Sequence, residues 1–332
     1  MRKVLIYILV FVLLCFLIPI IFTKRPEKAV VAINEASKES DNNQNENKTD
    51  TKTPTIVKLL HAETGEVEEL EMDKYLYGVV SAEMPANFEK EALKAQAIVA
   101  RTYTEYKIYK GSKHENADIC DDSKCCQAWI SKEKRFEKWN EVDRENNWNK
   151  ITSAVDETSG KIITYDGAPI NAFFHSNSGG TTETVANVWG GSNYPYLQSV
   201  ETSGEDSYTQ YASTVTLTKE EVLQKMQAEY PETTIDWTQE KPIQITEYNE
   251  SGRVKTIQIG NKSISGVEAR TIFGLKSAKF NVQVGESVQF DVVGYGHGVG
   301  LSQTGADAMA KTGATAEQII NHYYTGVKIE NI

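Results

Sequence analysis

The sequence predicts an α+β fold, with mixed helices and antiparallel hairpins around one substrate cleft, tethered to an N-terminal transmembrane helix. Three observations carry this. Helix-period and strand-period stretches fall in segregated runs, not in regular alternation. Two hairpins are marked by turn residues, at Asp166-Gly167 and at Glu250-Ser251-Gly252. Residues 4–22 form a 19-residue run without a charge, long enough to cross a bilayer core as a helix.

Arg2-Lys3 precedes that run and Lys24-Arg25 follows it. It is longer than the apolar region of a cleaved signal, and Ile21-Phe22-Thr23 is a poor cleavage site. An uncleaved anchor is therefore expected over residues 4–22, after a cytoplasmic stub of residues 1–3. Basic residues on both sides leave the positive-inside rule silent. The bulk of the chain follows the span, which favours a single-pass cell-membrane protein with that bulk outside the cytoplasm. Cys15 follows Leu14, where a lipoprotein signal needs a small residue, and reads as part of the anchor. Residues 23–54 are expected to be a flexible linker. Within them Asp41–Lys48 holds no apolar residue and has nothing to bury against its ordering entropy. Residues 55–332 are then the extracytoplasmic working domain, and a domain on such a leash suits a large, immobile substrate beside the membrane.

Composition narrows the partners. At 24% charged and 40% hydrophobic residues, the chain is neither wholly disordered nor a polytopic membrane protein. Residues 55–332 hold 27 basic against 40 acidic residues, a net charge of −13. A field of that sign argues against nucleic acid and leaves uncharged polymers, or ligands gripped by a local basic pair.

Along the domain, Ile56–Leu60 reads as a strand and Asp73–Val80 as a helix broken by Met84-Pro85. Asn87 is the expected N-cap of a long helix to Lys110, stopped by Gly111. Trp148, Ile151, Ala154 and Val155 mark a second helix ending at Gly160. Lys161–Tyr165 and Pro169–His175 read as a hairpin about Asp166-Gly167. A capping box at Thr218-x-x-Glu221 opens a helix to Glu229. Ile243–Glu247 and Val254–Ile259 form the second hairpin, Val267–Phe273 a short helix, and Phe280–Val284 and Ser287–Val293 two strands. Gly300–Lys311 and Thr315–Tyr324 are helices, the latter with a Thr315-x-x-Gln318 box. Whether residues 204–292 form a separate domain or an insertion stays open, with one continuous domain favoured.

Four constellations offer chemistry. Glu83 sits at a helix break among Val79, Val80, Ala82 and Met84. A carboxyl in such surroundings has its pKa raised and suits a general acid; a solvated helix-end glutamate is the competing reading. Lys94 and Arg101, two turns apart, share a helix face that either holds anionic or hydroxyl-rich substrate groups or is simply solvated. His114-x5-Cys120-x4-Cys125-Cys126 combines imidazole with thiols, the donors of tetrahedral zinc. Adjacent Cys125 and Cys126 are not expected to ligate together easily, so Cys126 is favoured, with Cys125 as a candidate fourth ligand. A disulfide competes, though three clustered cysteines leave one thiol over. Lastly, His175-Ser176-Asn177-Ser178-Gly179-Gly180-Thr181 and Gly296-His297-Gly298-Val299-Gly300-Leu301-Ser302-Gln303 are polar, glycine-rich stretches. They read as converging walls of one cleft, with His175, Ser176, Ser178, Gly179, Thr181, His297, Ser302 and Gln303 as candidate substrate contacts, or as plain turns. The spacing is wrong for a dinucleotide fingerprint, and no serine-hydrolase elbow is present.

Together, Ser81-Ala82-Glu83-Met84-Pro85, Glu91-Ala92-Leu93-Lys94-Ala95-Gln96-Ala97, Ala100-Arg101-Thr102-Tyr103, Ser176-Asn177-Ser178-Gly179-Gly180 and Gly296–Ala306 resemble the stage II sporulation protein D family over roughly residues 57–326. The resemblance implies a lytic transglycosylase acting on peptidoglycan in spore engulfment, between the mother-cell and forespore membranes. It implies Glu83 as the catalytic acid and base, Lys94 and Arg101 as groove residues, and a structural zinc loop at His114, Cys120 and Cys126. In family members with that loop the residue before the last cysteine is often histidine; here it is Cys125. It further implies peptide-free glycan strands as substrate, and the amidase stage II sporulation protein P with other engulfment membrane proteins as partners. Three rivals remain at this point: a non-catalytic glycan-binding enhancer of a wall amidase, a zinc-dependent hydrolase, and a membrane scaffold.

Overall fold

The computed structural model describes residues 55–332; the expected anchor and linker lie outside them. The first strands, β1 (Ile56–Leu60) and β2 (Val67–Glu71), pair antiparallel. Two helices follow, α1 (Met72–Glu83) and α2 (Lys90–Lys110). Tyr75, Leu76, Val79 and Val80 make the buried side of α1. Twelve residues of α2 are buried, among them Ala92, Ala95, Ala97 and Ala100. Small side chains on several faces let neighbours approach α2 from all round, which makes it the central helix. Then come β3 (Ile119–Cys120), α3 (Lys132–Lys138) and α4 (Arg144–Asp156), with Ile151, Ala154 and Val155 of α4 packed inward. Next are β4 (Lys161–Tyr165), the short β5 (Ala168–Pro169) and β6 (Phe174–His175), then α5 (Val185–Trp189).

The second half opens with β7 (Ala212–Leu217) and α6 (Lys219–Glu229), whose Thr218/Glu221 capping box is formed. It continues through β8 (Ile243–Tyr248), β9 (Val254–Ile259), β10 (Lys262–Ser265), α7 (Gly266–Phe273), β11 (Phe280–Val284) and β12 (Val288–Val293). The chain closes with β13 (Leu301–Ser302), α8 (Gln303–Lys311), α9 (Ala316–Tyr323) and β14 (Lys328–Asn331). The sheets are small, ordered β2-β1-β3, β14-β4-β5, β13-β6, β11-β12-β7 and β10-β9-β8. This is a mixed α+β architecture, as the segregated pattern predicts.

Two hydrophobic cores result. One gathers α1, α2, α4, β4, α8 and α9 around residues such as Leu76, Leu93, Ile163 and Ile320. The other lies among residues 215–292, centred on Val222, Met226, Ile257, Phe273 and Phe290. Both belong to one compact unit from Thr53 to Ile332, so the second core is an insertion within that unit. Among the described residues no helix is long and apolar enough to cross a membrane.

Several expected boundaries move. Asn87 is not the N-cap of α2: Phe88 N–H closes a turn on Pro85 O at 3.0 Å, and the helix begins only after Glu89. Its start is held by an acid from elsewhere, with Glu89 N–H donating to Asp307 Oδ1. Helix α4 ends at Asp156, before Gly160. The strand expected over Pro169–His175 is broken, because Phe174 and His175 leave the hairpin to pair with Leu301 and Ser302. β14 takes the open edge of β4 along Lys161–Thr164, and the hairpin keeps only Thr164↔Pro169 and Tyr165↔Ala168. Its turn is as expected, with positive φ at Asp166 (50°) and Gly167 (75°). The helix expected from Gly300 starts at Gln303, because Leu301 and Ser302 first pair parallel with Phe174 and His175. That pairing and the parallel pair β1–β3 add short parallel bridges to the antiparallel hairpins the sequence predicts.

Candidate active site and metal centre

Glu83 is the last residue of α1. The helix stops there because Met84 precedes proline and is extended, its N–H closing on Val80 O at 3.0 Å. The half-buried carboxyl is fixed from two sides. Oε1 accepts from Ala128 N–H at 2.7 Å, and Oε2 accepts from Gln303 Nε2 at 3.2 Å. Burial raises the Glu83 pKa, and these two hydrogen bonds pull against it. No neighbouring charge contributes. Gln303 is the first residue of α8, 5% exposed, and Ser302 caps that helix by accepting from Gly305 N–H at 3.4 Å. A lone carboxyl whose pKa burial raises can keep a proton to higher pH than an ordinary carboxylate and, once it has given the proton up, take one back.

Ala128 lies two residues beyond the cysteine loop. His114, Cys120, Cys125 and Cys126 bring one ligand atom each to within 4.8 Å of one another. His114 Nε2 is 3.4 Å from both Cys125 Sγ and Cys126 Sγ, and the two sulfurs are 3.7 Å apart. A tetrahedral zinc with bonds of about 2.3 Å to sulfur and about 2.0 Å to nitrogen sets such edges at about 3.8 and about 3.5 Å. The donors therefore fit a four-ligand, closed metal centre. The difficulty expected of adjacent Cys125 and Cys126 does not arise in this geometry, and Cys125 stands where a fourth ligand would be. Cys125 N–H and Cys126 N–H both donate to Asp122 O, at 3.0 and 2.8 Å, and this tight turn swings both thiols to one side. Gln127, between the cysteines and Ala128, is buried and donates to Tyr75 Oη at 2.7 Å and Thr104 Oγ1 at 3.1 Å. One short segment thus joins the metal loop to the Glu83 carboxyl.

Lys94 and Arg101 do share a face of α2, but it is turned to the α4–β4 connection. Arg101 is 1% exposed. Its guanidinium donates to Asp73 Oδ1 (2.7 Å), Thr158 O (2.7 Å) and Lys161 O (3.2 Å). Its assignment as a substrate contact is corrected: it staples helices α1 and α2 to the end of α4. Lys94 pairs with Glu91 at 2.8 Å and lies 3.8 Å from Glu157. Neither residue touches Glu83.

The two glycine-rich stretches do converge, and they pair directly with one another. Phe174↔Leu301 and His175↔Ser302 are in register, and Asn177 bridges to Tyr295. Their shared centre is Glu205, which sequence reasoning missed. Its carboxylate accepts from Ser178 Oγ (2.5 Å), Ser178 N–H (3.0 Å), Gly180 N–H (3.0 Å), Thr202 Oγ1 (2.5 Å), Thr304 Oγ1 (3.1 Å) and Ser302 Oγ. Burial would raise its pKa, but the hydroxyl and amide donors outweigh that and hold it at about 2. Ser178 and Ser302 are fully buried in this network, so their assignment as substrate contacts is corrected. Gly179 is likewise buried: its carbonyl accepts from Lys279 Nζ at 2.8 Å, and a Cβ there would come within 3.0 Å of Val293. His175 is 4% exposed, donates from Nδ1 to Val299 O at 3.1 Å, and is pushed down to about 4 by burial. Half-buried His297 accepts from Val299 N–H at 3.0 Å and is also held neutral by burial. Ser176 and Thr181 are partly exposed, and their carbonyls serve Thr304 N–H and Arg253. Of this group Gln303 alone touches Glu83. No sequence signal marks Glu205, which stands in a polar loop outside every motif.

The profile of a family described as Stage II sporulation protein matches residues 61–165, the stretch that holds Glu83 and the whole metal loop. Stage II sporulation protein D of Bacillus amyloliquefaciens is 36% identical over 281 residues, 84% of this chain and 79% of that protein. Its namesake in Bacillus subtilis is 35% identical over 306 residues, 91% of this chain and 85% of that protein. The amidase enhancer of Bacillus subtilis is 29% identical over 76% of this chain and 40% of its own length. Similarity of this extent reaches well past the profile match into the second core, and on it the chain belongs to the stage II sporulation protein D family.

Proposed function

We propose that the chain is a membrane-anchored peptidoglycan lytic transglycosylase that works in spore engulfment. It cleaves the bond between N-acetylmuramic acid and N-acetylglucosamine in peptide-free strands. The observation that carries this reading is a single carboxyl, Glu83, raised by burial, gripped by two donors and without a neighbouring charge. Protonated Glu83 gives its proton to the leaving glycosidic oxygen. The C6 hydroxyl of muramic acid then attacks C1, Glu83 takes that hydroxyl's proton, and a 1,6-anhydro end forms. The nucleophile belongs to the substrate, so the two-carboxylate arrangement of ordinary glycosidases is not required. Zinc in the four-ligand loop would act structurally, holding the Cys126–Ala128 segment that donates to Glu83; with all four positions filled it offers no open site for catalysis. The anchor places the domain outside the cytoplasm, beside the wall and the amidase that strips its peptides.

A second reading, a non-catalytic glycan-binding enhancer of that amidase, is favoured by the resemblance to the amidase enhancer and by both Glu83 oxygens already having donors. Incubating the protein and its Glu83→Gln variant with peptide-free strands separates the two. Shortened strands from the wild type alone support the transglycosylase. Intact strands from both, still bound by protein, support the enhancer.

A further inference from the structure

A small cavity opens on the seam between the two cores, and Glu83 is not in its lining. Its lining includes Glu183, Asn187, Arg253, Arg270 and His297. Arg253 is 2% exposed and donates to Thr181 O at 2.8 Å and Ser178 O at 2.9 Å, while its buried Nε has no acceptor. Gly298, at φ 86°, makes room for it; a Cβ there would stand 2.3 Å from the guanidinium. The half-buried Arg270 guanidinium has no carboxylate or carbonyl bonded to it among the described residues. Glu183 is the acid in this lining, and its oxygens are taken by Thr184 N–H, Asn187 Nδ2, Asn249 Nδ2 and Ser251 Oγ. Two guanidiniums against one satisfied carboxylate, with His297 neutral, leave the cavity one positive charge in excess. At its rim Trp189, 50% exposed, packs on His297 (centroids 5.0 Å) and Phe173 (4.8 Å).

We propose that this cavity is a second binding site, for an acidic sugar whose carboxylate meets Arg270 and Arg253 while its ring lies on Trp189. The cavity is too small for a sugar ring but not for a carboxylate tip. An exposed indole offers the flat apolar face on which a pyranose ring's C–H groups pack. A partly buried arginine without a partner is matched by the bidentate geometry of a carboxylate. The identity of the sugar rests on the function proposed above: muramic acid carries a lactyl carboxylate, and that group is free only once the stem peptide has been removed. The site would thus read the peptide-free state directly.

The test uses the full-length chain carrying Glu83→Gln and 5-fluorotryptophan. The Trp189 fluorine resonance is assigned by Trp189→Phe and followed on titration. The probes are a peptide-free glycan tetrasaccharide, the same tetrasaccharide with its lactyl carboxylates amidated, and chitotetraose. The proposal expects the acidic probe to shift the Trp189 resonance saturably. It expects Arg270→Gln to weaken that binding about 10-fold or more, the loss of one charge-assisted pair, with the melting temperature kept. Trp189→Ala, on the surface, should weaken binding as read by calorimetry. Equal shifts from all three probes, no shift from any, or unchanged affinity in Arg270→Gln each overturn it. Carboxylate-dependent binding in Glu83→Gln, with peptide-free strands left intact by the wild-type protein, would sink the transglycosylase reading and leave this site standing. Cleavage without such binding would do the reverse.

Discussion

At the scale of single residues, one carboxyl and one guanidinium have traded expectations. Glu83 stands where helix breaking and apolar neighbours put it, and its environment is that of an acid. Glu83→Gln should cut strand cleavage by about 10²–10⁴-fold, the usual worth of a general acid, and leave melting nearly unchanged. The cleavage rate of the wild type should fall as pH rises through the raised Glu83 pKa, so its basic limb should lie above the ordinary carboxylate range. A rate that is flat across that limb would argue against an acid role. Arg101 was legible as a neighbour of Lys94 on one face, but the pattern could not say what that face meets. It meets Asp73 and the carbonyls after α4. Arg101→Ala should therefore cost on the order of 2 kcal/mol of stability, the scale for leaving buried carbonyls such as Thr158 O without their donor, while KM of the folded fraction stays near wild type. A raised KM without loss of stability would restore Arg101 to the groove.

At the scale of elements, local chemistry was readable and long-range pairing was not. The capping boxes at Thr218 and Thr315 and the stop at Gly111 are local, and they formed as expected. The parallel pairing of His175 with Ser302 joins residues 127 positions apart, and the capture of β4 by β14 joins residues as distant. No pattern within a short window encodes either. The Glu205 junction shows the same limit, since its donors come from three separate segments. It also sets the acid stability of the fold. Glu205 at about 2 lies below its ordinary 4.5, so its stabilising contribution is complete above about pH 4.5 and is lost as pH falls toward 2. His175, at about 4 against an ordinary 6.5, is stable as the neutral ring, and that contribution fades as pH falls from 6.5 toward 4. Melting temperature should decline in two stages, first below pH 6.5 and again below 4.5, and Glu205→Gln should remove the second. The metal loop is the third element with a consequence. Stripping the zinc we propose for it with a chelator, or Cys120→Ser, should lower melting by at least ~3 °C and reduce cleavage in step, because the same segment carries Ala128 to Glu83. Melting unchanged on chelation would contradict a structural metal.

At the scale of the whole molecule, the two cores explain why the sequence left residues 204–292 undecided. Their hairpins and capped helices are complete enough to build a core, yet Arg253 and Lys279 reach out of that region to carbonyls of Ser178, Gly179 and Thr181 in the glycine-rich loop. The insertion is tied to the first core at the loop that Glu205 organises. The central claim is an internal nucleophile, and the products formed in ¹⁸O-water test it most directly. Mass spectrometry of peptide-free strands cleaved by the wild-type protein should show muramic ends one water lighter than hydrolysis products and free of ¹⁸O. Muramic ends one water heavier and carrying ¹⁸O would mean that water attacks C1, and would contradict the transglycosylase account.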